Sequence, residues 1–413
     1  MVRHSKEIGA APASRVASEF APISAPTLST NGSSKGRPKG ASQNPNYCQY
    51  LGSLVTALDR AAQIPKQILG GAIVGRRLLL HKLLFYSLVV GMFAVATTFL
   101  TTDGNHKLEA MMKPMVASKI PWHSGAEWTE FLSMYDASVA ENLGHCQHRH
   151  LQTRYGSTMV HVCGNAEEDT VLLFHGLSAT SNTWKVVVNH AELIRCRRLV
   201  LVDHICDKGR SIPFECPMTM NDHVGWFEDI YAGLGITKAD LVGHSYGAFV
   251  TGLVGVAAPE MVKKLVHVAP GAVYAPTTLM SCMIGMIAYF GMAFPSLGLD
   301  GTWLQQWMTS PNYDVYAHSA EPGFSMYKTA FPVPMQHIVK LQHQFSDTDL
   351  ALLAKNNVTL IYPEHEVITN RRTVFSRAAA AHIPVIVAEG VGHPIHLERP
   401  EWFADTITEL LLA

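Results

Sequence analysis

The sequence predicts an α/β fold, a mostly parallel sheet flanked by helices, on two observations. From about residue 148 onward, short apolar runs of strand length alternate with segments of helical length, the pattern of repeated βαβ units. The turns after these runs carry the most reactive residue types, at the carboxyl ends of strands, where such sheets place their sites. The strands are Thr170–Phe174 (TVLLF), Arg198–Val202 (RLVLV), Asp240–Val242 leading into Gly243, Lys264–Val268 (KLVHV), Val358–Tyr362 (VTLIY) and Pro384–Ala388 (PVIVA). Between them Asn182–Arg197, Asp222–Leu234, Gly247–Val262, Thr369–His382 and Pro400–Leu412 have helical length and apolar spacing. No internal repeat interrupts the series.

Composition bounds the rest. With 413 residues, 48% hydrophobic and only 16% charged, the chain is too apolar to be disordered throughout and long enough for one large domain with appendages. A net charge of −1 excludes a whole-chain nucleic-acid footprint, so no nucleic-acid partner is expected. The charge is unevenly spread, since residues 1–82 hold 11 basic and 3 acidic groups and the remainder 21 and 30. Residues 1–75, rich in Ser, Ala, Pro and Gly, read as a disordered basic tail, with an organelle transit peptide as the competing reading. Within an anchor at 76–102, the 20 uncharged residues Leu83–Thr102 are long enough to span a bilayer as a helix; the alternative is a buried core helix. Arg76, Arg77 and Lys82 precede the span and Asp103 follows it, which predicts a single-pass membrane protein with its large domain lumenal or extracellular. Residues 103–147 read as a connecting region and 148–413 as the α/β domain. Seven cysteines form no disulfide scaffold in so long a chain, and their number leaves the compartment open.

The chemistry concentrates in four turns. Gly243-His244-Ser245-Tyr246-Gly247 is a G-x-S-x-G directly after an apolar strand and before a helix, the setting of a nucleophile elbow. Gly243 and Gly247 let strand and helix approach closely around Ser245. His175-Gly176-Leu177 ends the strand Thr170–Phe174, so the backbone N–H groups of Leu177 and Tyr246 are expected to form an oxyanion hole, with His175 and Gly176 shaping the turn. An ordinary βα turn is the bland alternative. Serine is a weak nucleophile and needs a base oriented by a carboxylate, which in this kind of sheet follow in the order serine, acid, histidine. Glu366, after Val358–Tyr362, is the expected acid and His393, after Pro384–Ala388, the expected base; Glu364 and His396 compete with them. Asp203, which precedes the serine, reads as structural. His145, Cys146, His148 and His150 match no common zinc spacing, so no metal is expected.

These residues resemble the α/β-hydrolase superfamily, over roughly His148 to Ala413. The resemblance rests on HG at 175–176, GHSYG at 243–247, PEHE at 363–366 and GVGHPIHLERP at 390–400. Asp207-Lys208 followed by Ser211-Ile212-Pro213 is similar to bacterial carboxylesterases that carry glutamate in their triad, whereas Pro363 and Glu366 stand where the wider family has Gly and Asp. The resemblance implies an α/β-hydrolase fold and a serine esterase that needs no cofactor. Acyl transfer, carbon–carbon hydrolysis, lyase chemistry and a non-catalytic ligand-binding receptor are the alternatives that the shared groups leave open.

The long segment between Val268 and Val358 reads as a helical cap at about 272–355. Its stretch Leu279–Phe294 is almost wholly apolar and rich in Met, which suits a hydrophobic small-molecule or lipid ester; a core helix without ligand contact is the alternative.

Overall fold

The computed structural model describes residues 126–165, 167–278, 280, 281, 284, 301–318 and 345–413. Nine strands make one sheet: β1 (Gln147–Thr153), β2 (Gly156–Gly164), β3 (Thr170–Phe174), β4 (Arg198–Val202), β5 (Ile212–Pro213), β6 (Ala239–His244), β7 (Val262–Val268), β8 (Val358–Pro363) and β9 (Val385–Ala388). The order is β1-β2-β4-β3-β6-β7-β8-β9, with the short β5 on β2. From β4 to β9 every pairing is parallel, and only β1, β2 and β5 join antiparallel.

The period-two geometry of a strand explains why the centre is apolar throughout. Leu172 and Phe174 of β3, with Val200 and Val202 of β4, face one apolar layer containing Trp226, Phe227 and Phe249. Val171 and Leu173, with Leu199 and Leu201, face the other, built on Trp184, Phe131 and Phe403. Burial on both faces leaves no polar alternation, hence runs such as TVLLF.

Several predicted boundaries shift for identifiable reasons. The segment Asn182–Arg197 is not one helix: a 3₁₀ turn (Ser181–Trp184) is followed by Lys185–Val188 and Ala191–Cys196. The three consecutive β-branched valines at 186–188 are weak helix formers, and the chain turns at Asn189 and His190. The helix after β6 runs Tyr246–Ala257, because Pro259 disfavours helical backbone at the residue before it; Pro259–Met261 forms a 3₁₀ turn and Val262 opens β7. The hairpin β1–β2 was not predicted, since QHRHLQT is largely exposed and offers no apolar run. Within the predicted connecting region lies a helix, Ala126–Leu143, whose Phe131, Tyr135 and Leu143 are buried in the layer that holds Val171 and Leu173.

The helices Gly301–Met308, Val315–His318 and Asp347–Lys355 fall within the predicted cap; Leu279–Phe294 lies outside the described residues apart from Met280, Ser281 and Ile284. No helix among the described residues is long and apolar enough to cross a membrane. The predicted span Leu83–Thr102 and the tail 1–75 lie outside them.

Among the described residues, two disulfides staple the domain. Cys146–Cys163 joins the residue before β1 to β2, and Cys206–Cys216 closes the loop after β4. The sulfurs of Cys146 and Cys163 lie near His145 but are bonded to each other, so they offer no thiolates to a metal.

Two buried histidines set a pH limit on stability. Burial pushes His267 and His396 down to about 3 from an ordinary value of 6.5, and each keeps at least one ring nitrogen without a partner. The folded state therefore excludes the proton that the unfolded chain takes up near pH 6.5, so these side chains favour folding above that pH and lose this advantage as pH falls toward 3. The thermal midpoint is expected to fall steadily below pH 6.5, and a midpoint flat down to pH 4 would contradict this.

Candidate active site

The sheet order places β4 on one side of β3 and β6 on the other, so the loops after β3 and β6 diverge and leave a crevice at their carboxyl ends. Phe174 and Gly243 pair in register at that edge, which brings the turns His175-Gly176-Leu177 and Ser245-Tyr246 side by side. Ser245 sits between β6 and the helix Tyr246–Ala257 at φ 53°, ψ −110°, a conformation costly for an L residue. Its N–H donates to the Val268 carbonyl at 2.8 Å, locking the turn to β7. A β-carbon at Gly247 would overlap the Phe174 carbonyl oxygen, so only glycine lets the helix start this close to β3.

Ser245 Oγ lies 2.8 Å from His393 Nε2, and His393 Nδ1 lies 2.8 Å from Glu366 Oε2. Glu366 is turned inward by its own backbone, its Oε1 accepting the N–H groups of Val367 and Ile368 at 2.8 and 2.7 Å. That leaves Oε2 to accept from Nδ1–H, which makes Nε2 the acceptor for the serine hydroxyl. The histidine and glutamate side chains are buried. The competing residues lie elsewhere: Glu364 accepts the Gly390 N–H at 2.8 Å, and the His396 ring stacks edge-on to His244 with both nitrogens unpartnered.

The chain has relatives among known proteins. Residues 171–406 match the model of the alpha/beta hydrolase family. The chain belongs to that family. Two curated relatives of this α/β-hydrolase come from Bacillus subtilis (strain 168): an uncharacterized carboxylesterase, nap, 26% identical over 284 residues (67% of this chain and 90% of the relative), and carboxylesterase YbfK, 25% identical over 296 residues (68% and 93%). The crystal structure of carboxylesterase CesB (YbfK) superposes with a TM-score of 0.61 at 21% identity, covering 69% of this chain and 98% of that one. The protein is thus a carboxylesterase-like α/β-hydrolase.

The other predicted site residues of this α/β-hydrolase are held around the serine. Gly176 abuts the elbow, where a β-carbon would stand 3.3 Å from that of Ser245 and 2.9 Å from His244 Nδ1. His175 fixes the turn: a carbonyl only accepts, so its Nδ1–H donates to the Gly176 oxygen at 2.8 Å, and its Nε2 accepts the His204 N–H at 3.2 Å. Burial lowers the pKa of His175, consistent with this neutral form. Leu177 follows within the same turn, and Tyr246 opens the helix at its positive end. Asp203, read from sequence as structural, is fully buried and accepts from Tyr135 Oη (2.7 Å), Ser181 Oγ (2.6 Å) and the N–H groups of Ser181 and Arg210.

Sequence reasoning missed the residues that hold the histidine loop. Burial, then the nearby His393 and His396, keeps His244 well below the usual imidazole range; the neutral ring donates from Nε2 to the His393 carbonyl at 3.2 Å. The His393 N–H donates to the Met308 carbonyl at 2.8 Å, tying this loop to the helix Gly301–Met308. Glu398 accepts the N–H groups of Gly392 and Ser310 at 2.9 and 3.1 Å. The acidic residue in HLERP was the available signal, but nothing in the string indicates that it faces backward onto Gly392.

Proposed function

We propose that the protein is a serine carboxylesterase in which Ser245 is the nucleophile, His393 the general base and Glu366 the residue that orients it. The observation that carries the reading is the hydrogen-bonded path from Ser245 Oγ through both nitrogens of His393 to Glu366; the curated carboxylesterase relatives support the ester as the bond cleaved. Ser245 Oγ attacks the ester carbonyl carbon as its proton passes to His393 Nε2. The carbonyl oxygen becomes an oxyanion, for which the N–H groups of Leu177 and Tyr246 are the assigned donors. Collapse expels the alcohol, which takes the proton from His393. Water then attacks the acyl-enzyme, again losing its proton to His393; collapse breaks the bond to Ser245 Oγ, which takes that proton back, and the carboxylic acid leaves.

The substrate reading is an ester with a hydrophobic acyl group, up to a lipid, supported by the apolar composition of Leu279–Phe294. A series of p-nitrophenyl esters from acetate to palmitate, run beside glycerolipids, tests it. The expected result is kcat/KM rising with acyl length. Highest activity on acetate, with none on glycerolipids, would overturn the hydrophobic-substrate reading.

The same proposal places the domain on the lumenal or extracellular side of a membrane anchored through Leu83–Thr102. Two disulfides support an oxidising compartment, which agrees with the basic residues before the span. In sealed vesicles carrying the full chain, the domain should resist external protease until detergent is added, and digestion without detergent would overturn the topology.

A further inference from the structure

We propose that Asp207 is the positioning residue of the oxyanion hole: its carboxylate grips the Ser178 N–H, fixing the peptide that follows Leu177, while the Cys206–Cys216 disulfide holds Asp207 in register. The inference rests on the serine-esterase reading and assigns a residue that plays no part in the triad.

Four observations carry it. Asp207 is fully buried, and both its oxygens accept the Ser178 N–H, at 2.8 and 3.1 Å, while Oδ1 also takes the Lys208 N–H at 2.7 Å. A carboxylate withdrawn from water and spent on one loop amide costs free energy unless its contacts return it. Ser178 stands at φ 57°, in the left-handed region, and a non-glycine residue persists there only when its surroundings impose the conformation. The turn is closed on its inner side by the Ala179 N–H donating to the Gly176 carbonyl at 3.1 Å, so the Asp207 contact clamps a short loop from outside. Finally, Cys206, the neighbour of Asp207, is bonded to Cys216, which shortens the loop after β4 and limits how far the carboxylate can retreat.

Asp203 holds the same loop one turn further on, at Ser181, but its oxygens are shared with Tyr135 and Arg210, which ties it to the Ala126–Leu143 helix as much as to the loop. Of these two carboxylates, Asp207 is the one that contacts Ser178, the residue after the assigned donor Leu177. A misplaced oxyanion donor weakens binding of the tetrahedral state more than that of the ester.

The test compares Asp207→Ala with Asp207→Asn in the full chain, measuring kcat and KM on a p-nitrophenyl ester and the affinity of an alkyl boronic acid, which forms a tetrahedral adduct on serine. Asparagine keeps Oδ1 to accept from both Ser178 and Lys208 but sets an NH₂ group in place of Oδ2 opposite the Ser178 N–H, so it is expected to lose less kcat than alanine. Alanine is expected to lower kcat about 10- to 100-fold, somewhat less than outright loss of an oxyanion donor, with KM within about twofold and boronate affinity falling in parallel with kcat. Should Asp207→Ala fail to fold, the double variant Asp207→Ala/Lys208→Met, which removes both charges, is expected to show the same kcat loss. Reducing the Cys206–Cys216 clamp with Cys206→Ser/Cys216→Ser is expected to move kcat in the same direction by a smaller factor. Alanine variants that retain kcat and boronate affinity within threefold, or an asparagine variant as impaired as alanine, would overturn the inference. Ser245→Ala, run alongside, separates the two levels: kcat within 100-fold of wild type in that variant defeats the esterase reading itself, whereas a Ser245→Ala lowered about 10⁴-fold beside an unimpaired Asp207→Ala defeats only the positioning role.

Discussion

Replacing Ser245 by alanine is expected to lower kcat by about 10⁴-fold or more while leaving the fold intact. The hydroxyl is the one group in the structure placed both on the elbow and 2.8 Å from an imidazole nitrogen. Alanine removes it without changing the backbone demand, because serine and alanine share the same β-carbon and meet the same cost at φ 53°. The proposed oxyanion donors at Leu177 and Tyr246 are untouched, so weak turnover above the uncatalysed rate is expected to survive. Steady-state kinetics with thermal unfolding on the same sample checks both halves. A variant within 100-fold of wild type would show that the nucleophile is elsewhere.

Glu366→Gln is expected to cost about 10³- to 10⁴-fold in kcat although it changes almost no volume. The glutamine oxygen can still accept from Val367 and Ile368, so the loop keeps its shape. What then faces His393 Nδ1 is an NH₂ group, which only donates. The ring must present a lone pair at Nδ1 and therefore carries its proton on Nε2, the nitrogen that should accept from Ser245. Base and nucleophile then face each other as two donors. A glutamine variant within tenfold of wild type would mean that the carboxylate does not set the tautomer.

The parallel strands and the four reactive turns were legible because each is a local signal: an apolar run with glycine or histidine in the turn that follows it. Sheet order was not, since β3 lying between β4 and β6 follows from packing two helical layers rather than from any string. The β1–β2 hairpin escaped because its polar residues pair mainly through backbone, and the Ala126–Leu143 helix because its buried Phe131 and Tyr135 sit in a stretch with no neighbouring strand to mark it. The choice between Glu366 and Glu364 depended on which carboxylate the loop backbone turns inward, a matter of two N–H groups at 367 and 368. Asp207 was visible as half of Asp-Lys, yet its partner, the N–H of Ser178, is a backbone group that no residue type announces.

The most direct measurement is peptide mapping by mass spectrometry after the full-length protein is treated with a fluorophosphonate. The account predicts a single adduct, on the peptide containing Ser245, formed rapidly in wild type and slowed in Glu366→Gln. An unmodified Ser245 under conditions that label a control esterase, or an adduct on another residue, would contradict it.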